Sequence, residues 1–136
     1  MISMKVLFVC SGNAYRSPVA EALLKKFKPE IDVDSAGINP TLIPISKAAR
    51  KFLAKENAEQ YLKEVPEALD SKQLDKYDLI IAMEPRHKVV VLSKCPECEN
   101  KTVVWNIYDP YFSPPEYTEK IFVQIKQKVK ELAGSL

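Results

Sequence analysis

The stretch Val6-Leu7-Phe8-Val9-Cys10-Ser11-Gly12-Asn13-Ala14-Tyr15-Arg16-Ser17-Pro18 constrains the fold more than any other. Its apolar run is continuous rather than alternating, as in a strand buried on both faces of a parallel sheet. Ser17 then reads as a helix N-cap and Pro18 as the first helical position. Val19, Leu23 and Phe27, with Ala20 and Leu24 beside them, supply one apolar helical face, and Pro29 stops the helix. The result is strand, tight loop and helix, with a thiol at the base of the loop and a guanidinium at its lip.

Such a loop can turn successive backbone N–H groups inward as an anion-binding nest, and the following helix adds its own unpaired N–H groups and dipole. The phosphate-binding set expected here is Ser11, Gly12, Asn13, Ala14, Tyr15 and Arg16. Gly12 permits a positive φ or a close backbone approach, and Asn13 tolerates the left-handed region. Arg16 can hold two phosphate oxygens in a fork that lysine cannot match. A helix N-terminus and a nearby arginine favour the thiolate of Cys10, which makes it a nucleophile for phosphorus. The plain alternative is a buried strand-end thiol with an unrelated surface arginine. A dinucleotide site would need G-x-G-x-x-G, and a nucleotide P-loop a Gly-Lys-Ser/Thr ending; neither is present.

The run Val9 to Glu21 resembles the signature of the low-molecular-weight protein tyrosine phosphatases, which carry Cys-x5-Arg-Ser near the N-terminus and Asp-Pro near the C-terminus. Asp109-Pro110-Tyr111-Phe112 is similar to the second motif. Asp34-Ser35-Ala36-Gly37 and Tyr77 to Met83 resemble two further stretches. The resemblance implies a Rossmann-like α/β/α sandwich with a four-stranded parallel sheet in the order 2-1-3-4. It implies a protein tyrosine phosphatase that works through a cysteinyl-phosphate on Cys10. Asp109 would be the general acid and then the base, held by Pro110 and desolvated by neighbouring aromatics. Arg16 would stabilise the equatorial oxygens, and Ser17 would donate to the departing sulfur. Tyr15, Tyr111 and Phe112 would form a slot for the phosphotyrosine ring, while Asn13 and Ser35 hold the shape of the loop. No metal or other cofactor is implied.

Three positions depart from the family pattern. Tyr15 stands where a second cysteine is usual, so no disulfide can form within the loop. Ala14 stands where phosphoarginine phosphatases of the family carry threonine and many tyrosine phosphatases carry a larger aliphatic. Leu69 stands near the place of a histidine that precedes an Arg-Gln pair, here Lys72-Gln73, so the bracing of the loop is expected to differ.

Along the chain, Ile31 to Ser35 reads as an edge strand and Ile45 to Leu53 as the start of a second helix, with a resumption at Tyr61-Leu62. The loop at 38–44 is apolar enough to wall a site or pack on the core. Tyr77 to Met83 is a strand, and Pro85 opens a helix that Cys95-Pro96-Glu97-Cys98 ends. Thr102 to Trp105 is a last strand, followed by an exposed loop at 106–111. Ser113-Pro114-Pro115-Glu116 has capping-box spacing ahead of a final helix. Alternating strands and helices imply a parallel sheet covered on both faces.

The 136 residues are expected to form one domain, 1–136, large enough for a core of its own. A net charge of +2 gives no reason to expect nucleic acid or a membrane surface, and no apolar run approaches a bilayer span. The expected partner is a phosphorylated protein, and the expected compartment the cytoplasm. The three cysteines suit a reducing setting, and the lysine and glutamate bias hints at a heat-adapted source. Cys95 and Cys98 are open to three readings: a zinc half-site short of ligands, a local disulfide or redox pair, or two incidental thiols. Two other functions compete with the phosphatase. One is an arsenate reductase that relays electrons from Cys10 through Cys95 and Cys98. The other is a phosphoprotein-binding module that has kept the pocket.

Overall fold

The computed structural model describes residues 4–40, 44–111 and 113–136. Four strands form one parallel sheet: β1 (Lys5–Cys10), β2 (Asp32–Gly37), β3 (Leu79–Ala82) and β4 (Thr102–Val104). Their order is β2-β1-β3-β4, as the resemblance implied. The helices are α1 (Arg16–Phe27), α2 (Lys47–Lys55), α3 (Pro85–Lys94) and α4 (Pro115–Ser135). Short 3-10 turns cover Glu59–Tyr61, Leu69–Ser71, Leu74–Lys76 and Pro96–Lys101.

The period of two along β1 sorts the core into two layers. Val6, Phe8 and Cys10 face one side with Leu23 and Leu24 of α1, Phe52 of α2 and Phe122 and Ile125 of α4. Leu7 and Val9 face the other side with Leu69, Leu74, Ile80, Val91, Cys95 and Cys98. β1 is therefore buried along its length after Lys5, which is why its sequence is unbroken apolar. Burying about 25 cal/mol per Å² of apolar surface on both faces of one strand makes it the anchor from which Cys10 projects. Cys10 ends β1 at the carboxyl edge, in register with Gly37 of β2, and on its other side β1 borders β3, where the chain order reverses and a crevice opens. That crevice is where open α/β sheets take their ligands.

Several local expectations are corrected. α1 begins at Arg16 with Tyr15 as N-cap, so Ser17 lies inside the helix and its hydroxyl serves the site instead of the cap. α2 begins at Lys47, capped by the Ser46 hydroxyl on the amides of Ala48 and Ala49, and ends at Lys55, where Asn57 adopts φ 56°. β3 is shorter at both ends than Tyr77 to Met83, and β4 stops at Val104. Ser113 makes no capping box, because Pro114 is the N-cap of α4 and no side chain caps that end. The loop at 106–111 is not uniformly exposed: Ile107 is fully buried while Tyr108 is open. Residues 41–43 of the apolar loop fall outside the described residues.

Cys95 and Cys98 are joined in a disulfide, the local bridge among the three readings of that pair. Among the described residues no cluster of His, Cys, Asp or Glu is arranged to hold a metal ion. No helix among them is long and apolar enough to cross a membrane.

Candidate active site

The loop from Cys10 to Arg16 closes on the carboxyl end of β1. Its left-handed residue is Asn13, at φ 55°, and not Gly12, since no described glycine has a positive φ. A non-glycine residue in that region is uncommon, and asparagine is among the types that adopt it most readily. Its side chain locks the turn. Nδ2 of Asn13 donates to Ser17 Oγ at 2.8 Å and to Ser35 Oγ at 2.9 Å. Its Oδ1 accepts from Lys63 Nζ and from the Glu67 amide, both at 2.8 Å. Two donors and two lone pairs are all used, within a fully buried side chain.

Gly37 lets the loop come this close. A Cβ there would lie 2.7 Å from the Ser11 carbonyl oxygen and 2.9 Å from both the Asn13 nitrogen and the Gly12 carbonyl carbon. The Ile38 and Asn39 amides then bond the carbonyls of Cys10 and Ser11 at 3.0 and 2.9 Å. The Ser46 amide ties the far side of the loop through Ala14 O at 2.9 Å.

Behind the loop lies a buried polar cluster. Ser35 Oγ donates to Glu21 Oε1 at 2.5 Å, and Lys63 Nζ donates to the Ser35 carbonyl at 2.8 Å. Lys63 also pairs with Glu67 at 2.9 Å, and Lys72 bridges Asp34 and Glu67 at 2.6 and 2.7 Å. Burial alone would raise the Glu67 carboxyl, but Lys72 and Lys63 outweigh it and hold it below the usual range. Burial would likewise lower the Lys72 ammonium, yet Asp34 and Glu67 raise it. Lysine thus does the bracing where the family pattern has a histidine near Leu69, which instead packs in the second core layer.

Cys10 Sγ lies 2.9 Å from Ser17 Oγ, and the sulfur is almost wholly buried. Because Ser17 Oγ already accepts from Asn13, its own proton is free to point at the sulfur. Arg16 is the largest fully buried side chain. Its Nη1 donates to Glu84 Oε2 at 2.5 Å and to the Ile107 carbonyl at 2.7 Å. Its Nη2 reaches Ser11 Oγ at 3.3 Å and lies 3.7 Å from Asp109 Oδ2. A guanidinium held from behind in this way is preorganised for an anion in front.

Glu84 and His87, on either side of the start of α3, hold this arrangement, and sequence reasoning missed both roles. Burial alone would raise the Glu84 carboxyl, but Arg86 and Arg16 hold it below the ordinary range. The Glu84 amide donates to His87 Nδ1 at 3.0 Å, so the proton of the neutral ring sits on Nε2, 2.9 Å from Ser11 Oγ. Burial first, then the charge of Arg16, push the imidazole down to about 4. The readable signal was an i, i+3 pair around a helix-opening proline directly after a buried strand.

Asp109 faces Arg16 across the pocket, and its Oδ1 accepts from the Tyr111 amide at 3.0 Å. Its side chain is 40% exposed. Tyr15 and Tyr111 meet edge to face with ring centroids 6.1 Å apart. Phe112, expected in the same slot, lies outside the described residues. Cys10, Ser11, Gly12, Ala14, Tyr15, Arg16, Asp109 and Tyr111 thus come together around one cavity of about 190 Å³. Cys95 and Cys98 do not join them. They lie beyond the C-terminal end of α3, about 15 Å along its axis from Glu84. They also pack on the opposite face of the sheet from Cys10.

A buried thiol at the foot of a tight loop, a buried arginine lining the same cavity and an aspartate facing that arginine define a cysteine-dependent phosphoryl-transfer class on a parallel α/β sheet. The family model described as low molecular weight phosphotyrosine protein phosphatase matches residues 5–136, and the chain belongs to that family. It is a phosphatase of this type. It is 30% identical to the low molecular weight protein-tyrosine-phosphatase Wzb of Salmonella typhi, over 97% of this chain and 93% of that protein. It is 32% identical to a protein-arginine-phosphatase of Geobacillus stearothermophilus, over 97% and 95% of the two chains. The crystal structure of a low molecular weight protein tyrosine phosphatase from T. tengcongensis superposes with a TM-score of 0.88 at 30% identity, covering 98% of this chain and all of that one.

Proposed function

We propose that the chain hydrolyses phosphotyrosine on protein substrates through a cysteinyl-phosphate on Cys10. The observation that carries this reading is the 2.9 Å contact between Cys10 Sγ and a Ser17 hydroxyl whose lone pair is already engaged. In the first step the sulfur attacks phosphorus and the ester P–O bond breaks. Asp109 protonates the leaving phenolate oxygen. In the second step Asp109 takes a proton from water, the new oxygen attacks phosphorus and the S–P bond breaks. Ser17 then stabilises the sulfur as it leaves with its electron pair. The loop amides and Arg16 hold the three equatorial oxygens in both steps.

Phosphotyrosine is favoured over shorter phosphoresidues because the thiol is 2% exposed at the bottom of the cavity. A phosphoryl group must arrive there on a long stem, and a flat ring fits beside Tyr15 and Tyr111. Phosphoarginine also has a long stem. One relative is named for that activity, but Ala14 and the aromatic slot speak for the ring. The arsenate-reductase alternative needs a thiol relay, and the only two candidates sit on the far face of the sheet, already paired with each other. We assign the activity to the cytoplasm, where the buried Cys95–Cys98 bridge is shielded from thiol reductants.

The test is hydrolysis of para-nitrophenyl phosphate in the presence of a chelator, followed by phosphotyrosine, phosphoserine and phosphoarginine peptides compared at equal concentration. Cys10→Ser should abolish turnover. Asp109→Asn should lower kcat by about 10²–10⁴-fold with peptide substrates. A faster rate on phosphoarginine than on phosphotyrosine would replace the substrate assignment, and activity in Cys10→Ser would overturn the mechanism.

A further inference from the structure

The phosphatase reading uses Arg16 and leaves a second arginine of the same cavity without a task. Arg86, the second residue of α3, lines the pocket with Cys10, Tyr15, Asp109 and Tyr111, yet its side chain is 54% exposed. Its Nη2 donates to Ser11 Oγ at 2.7 Å and to Glu84 Oε2 at 3.0 Å, and its Nε reaches Glu84 Oε1 at 3.4 Å. Its Nη1 has no partner among the described residues.

Ser11 Oγ is oversubscribed. It receives His87 Nε2 at 2.9 Å, Arg86 Nη2 at 2.7 Å and Arg16 Nη2 at 3.3 Å. A hydroxyl oxygen offers two lone pairs, so one of three donors is in excess. His87 and Arg16 are buried and fixed by other bonds. Arg86 alone can turn to a competing anion, while Glu84 keeps the guanidinium at the mouth. It sits at the rim and not at the floor, since its side chain is 54% exposed while Cys10 and Arg16 are buried.

We propose that Arg86 determines substrate choice by pairing with an anionic group on the substrate protein next to the residue being dephosphorylated. This rests on the phosphatase reading. Once a phosphotyrosine ring fills the slot, the side chains that adjoin it in sequence are left at the rim, within reach of a planar fork suited to carboxylate or phosphate. The ligand chemistry is an oxyanion, supplied either by aspartate or glutamate or by a second phosphorylated residue.

The experiment compares wild type and Arg86→Gln on phosphotyrosine peptides that carry glutamate, phosphoserine, alanine or lysine beside the target, at low ionic strength. The readout is the ratio of kcat/KM for each anionic peptide to that for the lysine peptide, which cancels any general loss of activity. Wild type should favour the anionic peptides by about 2–5-fold, as expected for one partly exposed ion pair, and the ratio should fall towards one in the variant. The glutamate and phosphoserine arms tell the two sources apart. A ratio unchanged by the substitution, or wild type that does not distinguish the peptides, overturns the assignment of Arg86. Wild type that fails to hydrolyse para-nitrophenyl phosphate would instead overturn the phosphatase reading, and this inference with it.

Discussion

Acidification should destabilise this protein through one side chain, His87. The imidazole is fully buried, accepts the Glu84 amide at Nδ1 and faces Ser11 Oγ through Nε2. Protonating Nδ1 would set two donors against each other beside the Arg16 guanidinium. Burial and that charge push the ring down from 6.5 to about 4. The folded value lies below the unfolded one, so the unfolded chain takes up the proton first. The stabilisation is whole above about pH 6.5, and it is lost progressively as the pH falls towards 4. A gap of about two and a half units corresponds to roughly 3 kcal/mol, a large share of the stability of a domain this size. His87→Gln is the informative variant, because a glutamine amide can accept from Glu84 and donate to Ser11 but does not titrate. Urea denaturation of both proteins between pH 7.5 and 4 isolates the histidine, since every carboxylate is common to the two. Wild type should lose roughly 3 kcal/mol more than the variant over that window. Parallel curves would show that His87 is not the buried neutral ring described above.

Gly37→Ala forces a Cβ into the backbone of the loop. It should cost about 1–3 kcal/mol in thermal or chemical denaturation and weaken competitive inhibition by inorganic phosphate, and unaltered inhibition would refute the close approach. Lys63→Met removes the donor shared by Asn13 and Ser35 beside buried Glu21. It should cost about 3–5 kcal/mol, and a loss below 1 kcal/mol in urea unfolding would mean the cluster does not brace the loop. Reducing the Cys95–Cys98 bridge, whose sequence separation is 3, should lower stability by roughly 2 kcal/mol, as loop closure predicts. Turnover of para-nitrophenyl phosphate should survive the reduction, and its loss would tie the bridge to the chemistry.

What was legible in the sequence follows from how locally each feature is encoded. The unbroken apolar run of β1 and the stripe of α1 each depend on near neighbours, and both elements stand where the pattern put them, with shifted ends. The start of α1 moved because the loop's left-handed residue is Asn13, whose side chain recruits the Ser17 hydroxyl that a cap would have used. The support of Arg16 was not legible, because Glu84 and the Ile107 carbonyl reach it from 68 and 91 residues away. Lys63 follows Tyr61-Leu62, where the helical pattern resumes over only two residues, and a lysine there carries no mark of burial. Cys95 and Cys98 were ambiguous, since a spacing of two intervening residues suits a metal, a bridge or chance. Only the fold shows them on the face away from Cys10.

The central claim is that the Cys10 sulfur itself becomes phosphorylated. It is tested by mixing the enzyme with excess para-nitrophenyl phosphate, quenching within the first turnovers and recording the phosphorus NMR spectrum of the denatured protein. Wild type should show a sulfur-bound phosphoryl resonance that disappears when substrate is exhausted, and Cys10→Ser should lack it. Turnover with no phosphorus on sulfur, or the same resonance in Cys10→Ser, would contradict the account.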